Sequence, residues 1–448
     1  MSKKPTPKQM DEMFEEWLAN QEKIKPTIKT EALKGKIKKE LKQFQSDEGI
    51  KEYALHHKWL EVKEVVKKYP KEELKEVYNR IWVPKGISDY RRLQPELIEI
   101  RDNLTYEGVG FFGERYPVFT NERDNLSDHW NILRALISSQ THDGTFGRSI
   151  RFIVRDRISQ KYLGVICVSN DMLALKKRDD AIGITNKEWS KVDGLSKYSV
   201  NASSLIPTQP FGRRYFGGKL LALLCLSNVV CDAWERKYGD RLVAVTTTSL
   251  WRNIKGNVSQ YDQMEGYWEN LGETTGSSPL KPSEPLYRLM RQWMRENYEY
   301  DYWFHFVAKA EDGKNLQRDN KNRAINFCMK ELGFDKDFYT SNHRRGIYFA
   351  RLYQNTDNFY RGEITADQLI PKFDNSIEAL TNVWRYGTRG DKTNKTSKDF
   401  RSSMTKGRID KQLRDNKFVK FEKPDWYLED ASLTFEQMKK KRLEDVGR

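Results

Sequence analysis

The stretch from Asn201 to Thr247 limits the possible folds of this chain more than any other. It opens on Asn201–Pro207 (NASSLIP), which reads as a strand. A turn rich in glycine and arginine follows, Gly212-Arg213-Arg214-Tyr215-Phe216-Gly217-Gly218. Then come an apolar helix from Lys219 to Tyr238 and a second strand, Leu242–Thr247 (LVAVTT). Strand, glycine turn, helix and strand in that order make an α/β unit. Just upstream, Ile150–Arg155 and Tyr162–Ser169 (YLGVICVS) are short runs rich in β-branched residues, as buried strands are. The sequence therefore predicts a mixed sheet over 142–280, with the helix over 218–238 packed on it through Leu221, Leu224 and Val229.

The flanks have another texture. Residues 1–90 form a predicted helical module, with Leu33, Ile37, Leu41 and Phe44 at helical spacing and prolines between the segments. Residues 91–141 read as a connector. Residues 281–384 read as helical and rich in Trp and Tyr, with a helix stopping before Gly333. Residues 385–448 read as a mobile basic tail; between 385 and 420 there are twelve Lys or Arg against four acidic residues. The expected fold class is thus α+β or α/β: a mixed sheet core flanked by an N-terminal helical module and a C-terminal helical region with a basic segment.

Charge narrows the partner. Lys plus Arg number 79 against 64 for Asp plus Glu, a formal excess of +15 over 448 residues, which favours a polyanion. The four cysteines, Cys167, Cys225, Cys231 and Cys328, form no CxxC pair and read as free thiols of a reducing compartment. Their spacing fits no zinc site, and no metal centre is expected. The N-terminus lacks an apolar signal region, and the apolar run from Leu220 to Val230 is too short to span a bilayer. The expected setting is the cytoplasm, with no membrane partner.

The glycine turn is the first candidate site. Backbone N–H groups at a helix N-terminus bind anions, and glycine lets a phosphate come close. Arg213, Arg214 and Lys219 would add charge around Gly217 and Gly218. The pattern resembles the acyl-CoA pyrophosphate loop of the GNAT acetyltransferase fold, although Lys219 stands where a second small residue belongs. An acyl-CoA or nucleotide-type donor would sit there; close packing of helix on sheet is the competing reading. Asp179 and Asp180 after Arg178, and His142 before the first strand, are the candidate acid–base groups, each also readable as an ordinary turn residue. Arg344 and Arg345 after His343, with Arg385, Arg389 and Lys392 in the basic segment, are candidates for gripping DNA phosphates. Tyr348 and Tyr353 are candidates for stacking on bases.

Pieces spread over 142–278 resemble the family of the A protein of the Druantia anti-phage defence system. They are Arg178-Asp179-Asp180-Ala181-Ile182-Gly183, Asn201–Pro207, Trp234–Gly239 with the strand after it, and Trp268–Gly276. Thr247-Thr248 stands where the family's strand ends in Glu-Thr, and Ser203 stands where it has Arg. The resemblance implies a GNAT-like core and a place in phage–host conflict or phage DNA metabolism, alongside other phage or defence-system proteins. Three functions follow as expectations: a group transferase acting on DNA, a non-catalytic DNA-binding subunit, or a metal-dependent nicking nuclease.

Overall fold

The computed structural model describes residues 5–21, 25–44, 47–83, 92–100, 126–138, 147–172, 175–184, 195–209, 211–249, 259–274, 278–309, 320–341, 344–386, 434 and 436–437. The chain divides into two compact units, one from Met1–His57 with Thr275–Arg344, the other from Lys58–Thr274 with Arg345–Arg448.

The larger unit is built on a sheet of β1 (Pro95–Ile100), β2 (Ser149–Asp156), β3 (Tyr162–Asn170), β4 (Ser199–Pro207), β5 (Ala244–Ser249) and β6 (Glu269–Glu273). The two-residue strands β7 (Ser278–Pro279) and β8 (Thr340–Ser341) pair with each other in the smaller unit, and β9 (Gly346–Arg351) returns to the main sheet. The sheet order is β1-β2-β3-β4-β5-β9-β6. Every neighbouring pair is antiparallel except β4 and β5, which run parallel. With helices beside a mixed, mostly antiparallel sheet, the fold is α+β.

Strand alternation sends side chains to two faces. On one face Phe152, Val154, Ile166 and Val168 meet Leu220 to Leu224 and Trp384. On the other, Ile153, Val165 and Cys167 meet Trp130, Ile132 and Leu133 of the helix Leu126–Ile137. With both faces covered, all of β3 but its last residue is buried. That explains why it reads as an unbroken apolar run rather than an alternating one.

Two sequence expectations shift. The apolar helix is a pair, Gly217–Leu224 and Asn228–Tyr238, bent by 43°. Ser227 is extended at the break, and the Asn228 N–H leaves to donate to the Asn375 carbonyl at 2.9 Å. As a result Leu221, Leu224 and Val230 are fully buried, whereas Val229 is half-buried. The sheet also reaches beyond 142–280. It takes β1 from the connector and β9 from the stretch read as helical. Six residues such as GIYFAR are too few for periodicity to separate strand from helix.

The smaller unit is helical. Leu33, Ile37, Leu41 and Phe44 pack with Met290, Trp293, Met294, Cys328 and Met329. The first helix, Pro7–Ala19, starts in a capping box between Thr6 and Gln9, with proline in its first turn. The helix Asn320–Glu331 ends before Gly333, which takes the left-handed φ of 70°.

Candidate functional site

β4 and β5 share three register pairs, Ser199–Ala244, Val200–Val245 and Asn201–Thr246. Beyond them β4 continues to Pro207 with no further register pair on β5, joined to it by the Thr247 hydroxyl, which donates to the Ala202 carbonyl at 2.9 Å. A turn at 259–263 sits against this half. Gln260 Nε2 donates to the Leu205 carbonyl at 3.2 Å and to the Tyr261 hydroxyl at 2.9 Å. Tyr261 is buried with its ring centroid 4.9 Å from Trp268 and 5.0 Å from Tyr348, and burial pushes its hydroxyl up to about 12. Tyr348 in turn donates to Asp262 Oδ1 at 2.8 Å.

The glycine turn faces this plug. Arg213 and Arg214 lie in the one-turn helix Phe211–Tyr215, and their side chains lie outside the described residues. Phe216 takes a left-handed φ of 59°, and Lys219 N–H donates to its carbonyl at 2.9 Å. A Cβ on Gly217 would enter the ring of Phe211, and one on Gly218 would meet the Gln260 carboxamide. The Lys219 ammonium donates to the carbonyls of Gln260 and Asp262. Side chains thus stand close against both glycines, and the turn's lysine ties the helix to the plug.

Asp179 and Asp180 have unlike surroundings. Asp180 is exposed and pairs with Lys176 at 2.9 Å. Asp179 is buried; its Oδ1 accepts from Arg178 at 2.8–2.9 Å, and its Oδ2 accepts the Leu175 N–H at 3.0 Å. Arg178 has no exposed side-chain surface and also reaches Asp171 Oδ2 at 2.8 Å. Asp171 accepts hydrogen bonds from Ser199 and Thr246, tying the ends of β3, β4 and β5 together. Burial alone would lower the Arg178 pKa, but the two carboxylates hold it above the ordinary arginine value. Burial, with Asp171 adding to it, also drives the Tyr360 hydroxyl well up. His142 lies outside the described residues.

The basic candidates scatter. Arg344 is exposed in the smaller unit. Arg345 is half-buried in the larger one; burial lowers its pKa, and its Nε has no hydrogen-bond partner among the described residues. Arg385 gives Nη2 to the Leu93 carbonyl. Arg389 and Lys392 lie outside the described residues. Tyr348 is fully buried between β5 and β6, so stacking on a base is closed to it; Tyr353 is half-buried.

The sequence reading passed over another basic constellation. Arg288, Arg291 and Arg295 on the helix Glu284–Asn297 line a cleft of about 380 Å³ with Gln292, Glu296 and Tyr302. Spacings of three and four residues put all three arginines on one helical face, which was the available signal. The aromatic content of the region drew attention away from it.

The family model for Druantia protein DruA matches residues 116–362, more than half of the chain. The chain belongs to that family. Its known place is a Druantia anti-phage defence system. A curated relative, Druantia protein DruA of Escherichia coli (strain UMEA 4076-1), is 27% identical over 237 residues. The match covers 50% of this chain and 55% of the relative, so the chain spans about half the length of the curated relative it matches. No solved structure matches the chain. The DruA match takes in the whole of β2 to β6 and β9, the glycine turn, the plug and the Arg178 cluster. Among the described residues no group of three His, Cys, Asp or Glu is placed to hold a metal ion. Among the same residues no single helix is long and apolar enough to cross a membrane.

Proposed function

We propose that this DruA-family chain serves phage–host conflict as a DNA-binding component whose sheet is a scaffold rather than a transfer site. The seating of Gln260 on Gly218 carries the choice between the transferase and the non-catalytic reading. A mixed sheet with a glycine turn leading from strand to apolar helix is what the GNAT resemblance rests on. In a transferase the turn would receive a donor's phosphates. Here the Gln260 side chain stands against it, and Lys219 is drawn to the plug's carbonyls. DNA is the partner because the chain carries an excess of fifteen positive charges. Other proteins of the defence system are the second class of partner.

The test has two arms. Binding of a labelled DNA duplex is followed by fluorescence anisotropy from low to high salt. If about six phosphates are neutralised, log K falls against log salt with a slope of roughly −5. Thermal melting is followed with and without acetyl-CoA, and no shift is expected. Salt-independent or absent DNA binding overturns the DNA reading. A melting temperature raised by acetyl-CoA restores the transferase.

A further inference from the structure

We infer that the cleft walled by Arg288, Arg291, Arg295 and Tyr302 holds phosphates of a nucleic-acid strand; this assignment rests on the DNA-binding reading above. Three guanidinium groups converge on one helical face around about 380 Å³ of open space. Arg291 and Arg295 form no ion pair among the described residues; their side-chain hydrogen bonds go to Tyr302 and Gln21. Arg288 is 79% exposed and lies 3.7 Å from Glu284. Like charges one turn apart on a helix repel, so a face that gathers three of them calls for an anion.

The ionised carboxylate in the cleft offsets part of that charge but offers the arginines no hydrogen bond. Glu296 accepts from the backbone N–H groups of Thr27 and Ile28, both at 2.9 Å, from the Thr27 hydroxyl at 2.6 Å and from Gln292 at 2.9 Å. Its acceptor sites are taken by Thr27, Ile28 and Gln292, so it offers no bidentate partner to the arginines.

Two of the three arginines are also held in place. The Arg291 guanidinium lies 4.5 Å from the Phe306 centroid, and those of Arg291 and Arg295 each lie 5.7 Å from Tyr302. Stacking on rings orients a guanidinium while its N–H edges stay free for phosphate oxygens. Tyr302 lines the same cleft and carries both of these guanidiniums. A cleft of this size admits a nucleotide unit rather than only a bare ion.

The experiment compares the full chain with the variant Arg288→Gln/Arg291→Gln. Glutamine keeps the stem and removes the charge. Anisotropy of a labelled duplex is measured over a salt series, beside the melting temperature of both proteins. The expected result is a salt slope flatter by about two, at least tenfold weaker binding at 0.1 M salt, and melting no lower than wild type. An unchanged slope and affinity in the variant overturn the cleft and leave the DNA reading standing. A wild-type protein that binds no DNA at low salt overturns both. Should the double variant melt early, Arg288→Gln alone, at a largely exposed position, decides: a slope flatter by about one supports the cleft, and no change refutes it.

Discussion

Gly218 and Gln260 lie so close that a Cβ built on Gly218 would stand 2.5 Å from the Gln260 carboxamide oxygen. The neighbouring Gly217 is tighter still, its missing side chain replaced by the ring of Phe211. Phe211 is fully buried and its ring also meets Trp82 and Trp384. The two glycines thus sit where a helix start, an aromatic cluster and the plug converge.

Alanine at Gly217, whose Cβ would enter the buried Phe211 ring, should destabilise the fold by about 1–3 kcal/mol, the usual cost of overfilling a packed site, and alanine at Gly218 by less, because the tip of Gln260 can swing away. In the Gly218→Ala background, Gln260→Ala should recover part of the loss, because the pair is in direct contact. Urea denaturation of the two single variants and the double variant measures this. If both glycine variants denature like wild type, the turn is open and the packing account is wrong.

Asp179 should behave as a buried ion-pair partner. Removing it takes one of two carboxylate partners from Arg178, whose side chain has no exposed surface. Breaking such a pair costs about 3–5 kcal/mol, so Asp179→Ala should lower the denaturation midpoint strongly. Asp180→Ala, at an exposed pair with Lys176, should cost about 1 kcal/mol or less. A fully stable Asp179→Ala protein would show that the pair with Arg178 is not a structural anchor.

Glu296 supplies a pH signature. Burial would raise its pKa, but the hydrogen bonds from Thr27, Ile28 and Gln292 outweigh that and hold it at about 2, against the ordinary 4.5. A depressed folded-state value means the group stabilises the native state fully above pH 4.5 and loses that contribution as pH falls toward 2. Glu296→Gln should therefore be less stable than wild type at pH 6, with the gap closing between pH 4.5 and pH 2. Denaturation midpoints of both proteins across that range provide the check; a gap constant with pH would exclude the carboxylate's charge as its source.

The legible parts of this chain were those where one segment carries its own pattern. β2 and β3 declared themselves by runs rich in Ile and Val, β4 and β5 by their places before and after the glycine turn and apolar helix, and Leu33, Ile37 and Leu41 by helical spacing. β9 did not, because a six-residue strand between turns becomes a strand only through β5 and β6 on either side. The plug was hidden for a similar reason. Gln260 matters through the carbonyl of Leu205, 55 residues away, and no local periodicity encodes that. Arg178 and Asp179 were singled out, but their partner Asp171 was not, since burial rather than spacing makes the three a unit. Arg288, Arg291 and Arg295 were readable in the helix Glu284–Asn297, and the weight given to tryptophan and tyrosine obscured them.

The place of β9 bears on how the chain comes off the ribosome. Among the described residues β6 pairs only with β9, and β5 has β9 as its second neighbour. Between the end of β6 at Glu273 and the start of β9 at Gly346, the chain must emit the whole segment 274–345. At about 5–20 residues per second that is a wait of several seconds or more. During it β5 presents an unpaired edge and β6 has nothing to join. Unpaired strand edges are templates for pairing with other chains, so nascent chains stalled in this window are the form most exposed to aggregation and to chaperone capture.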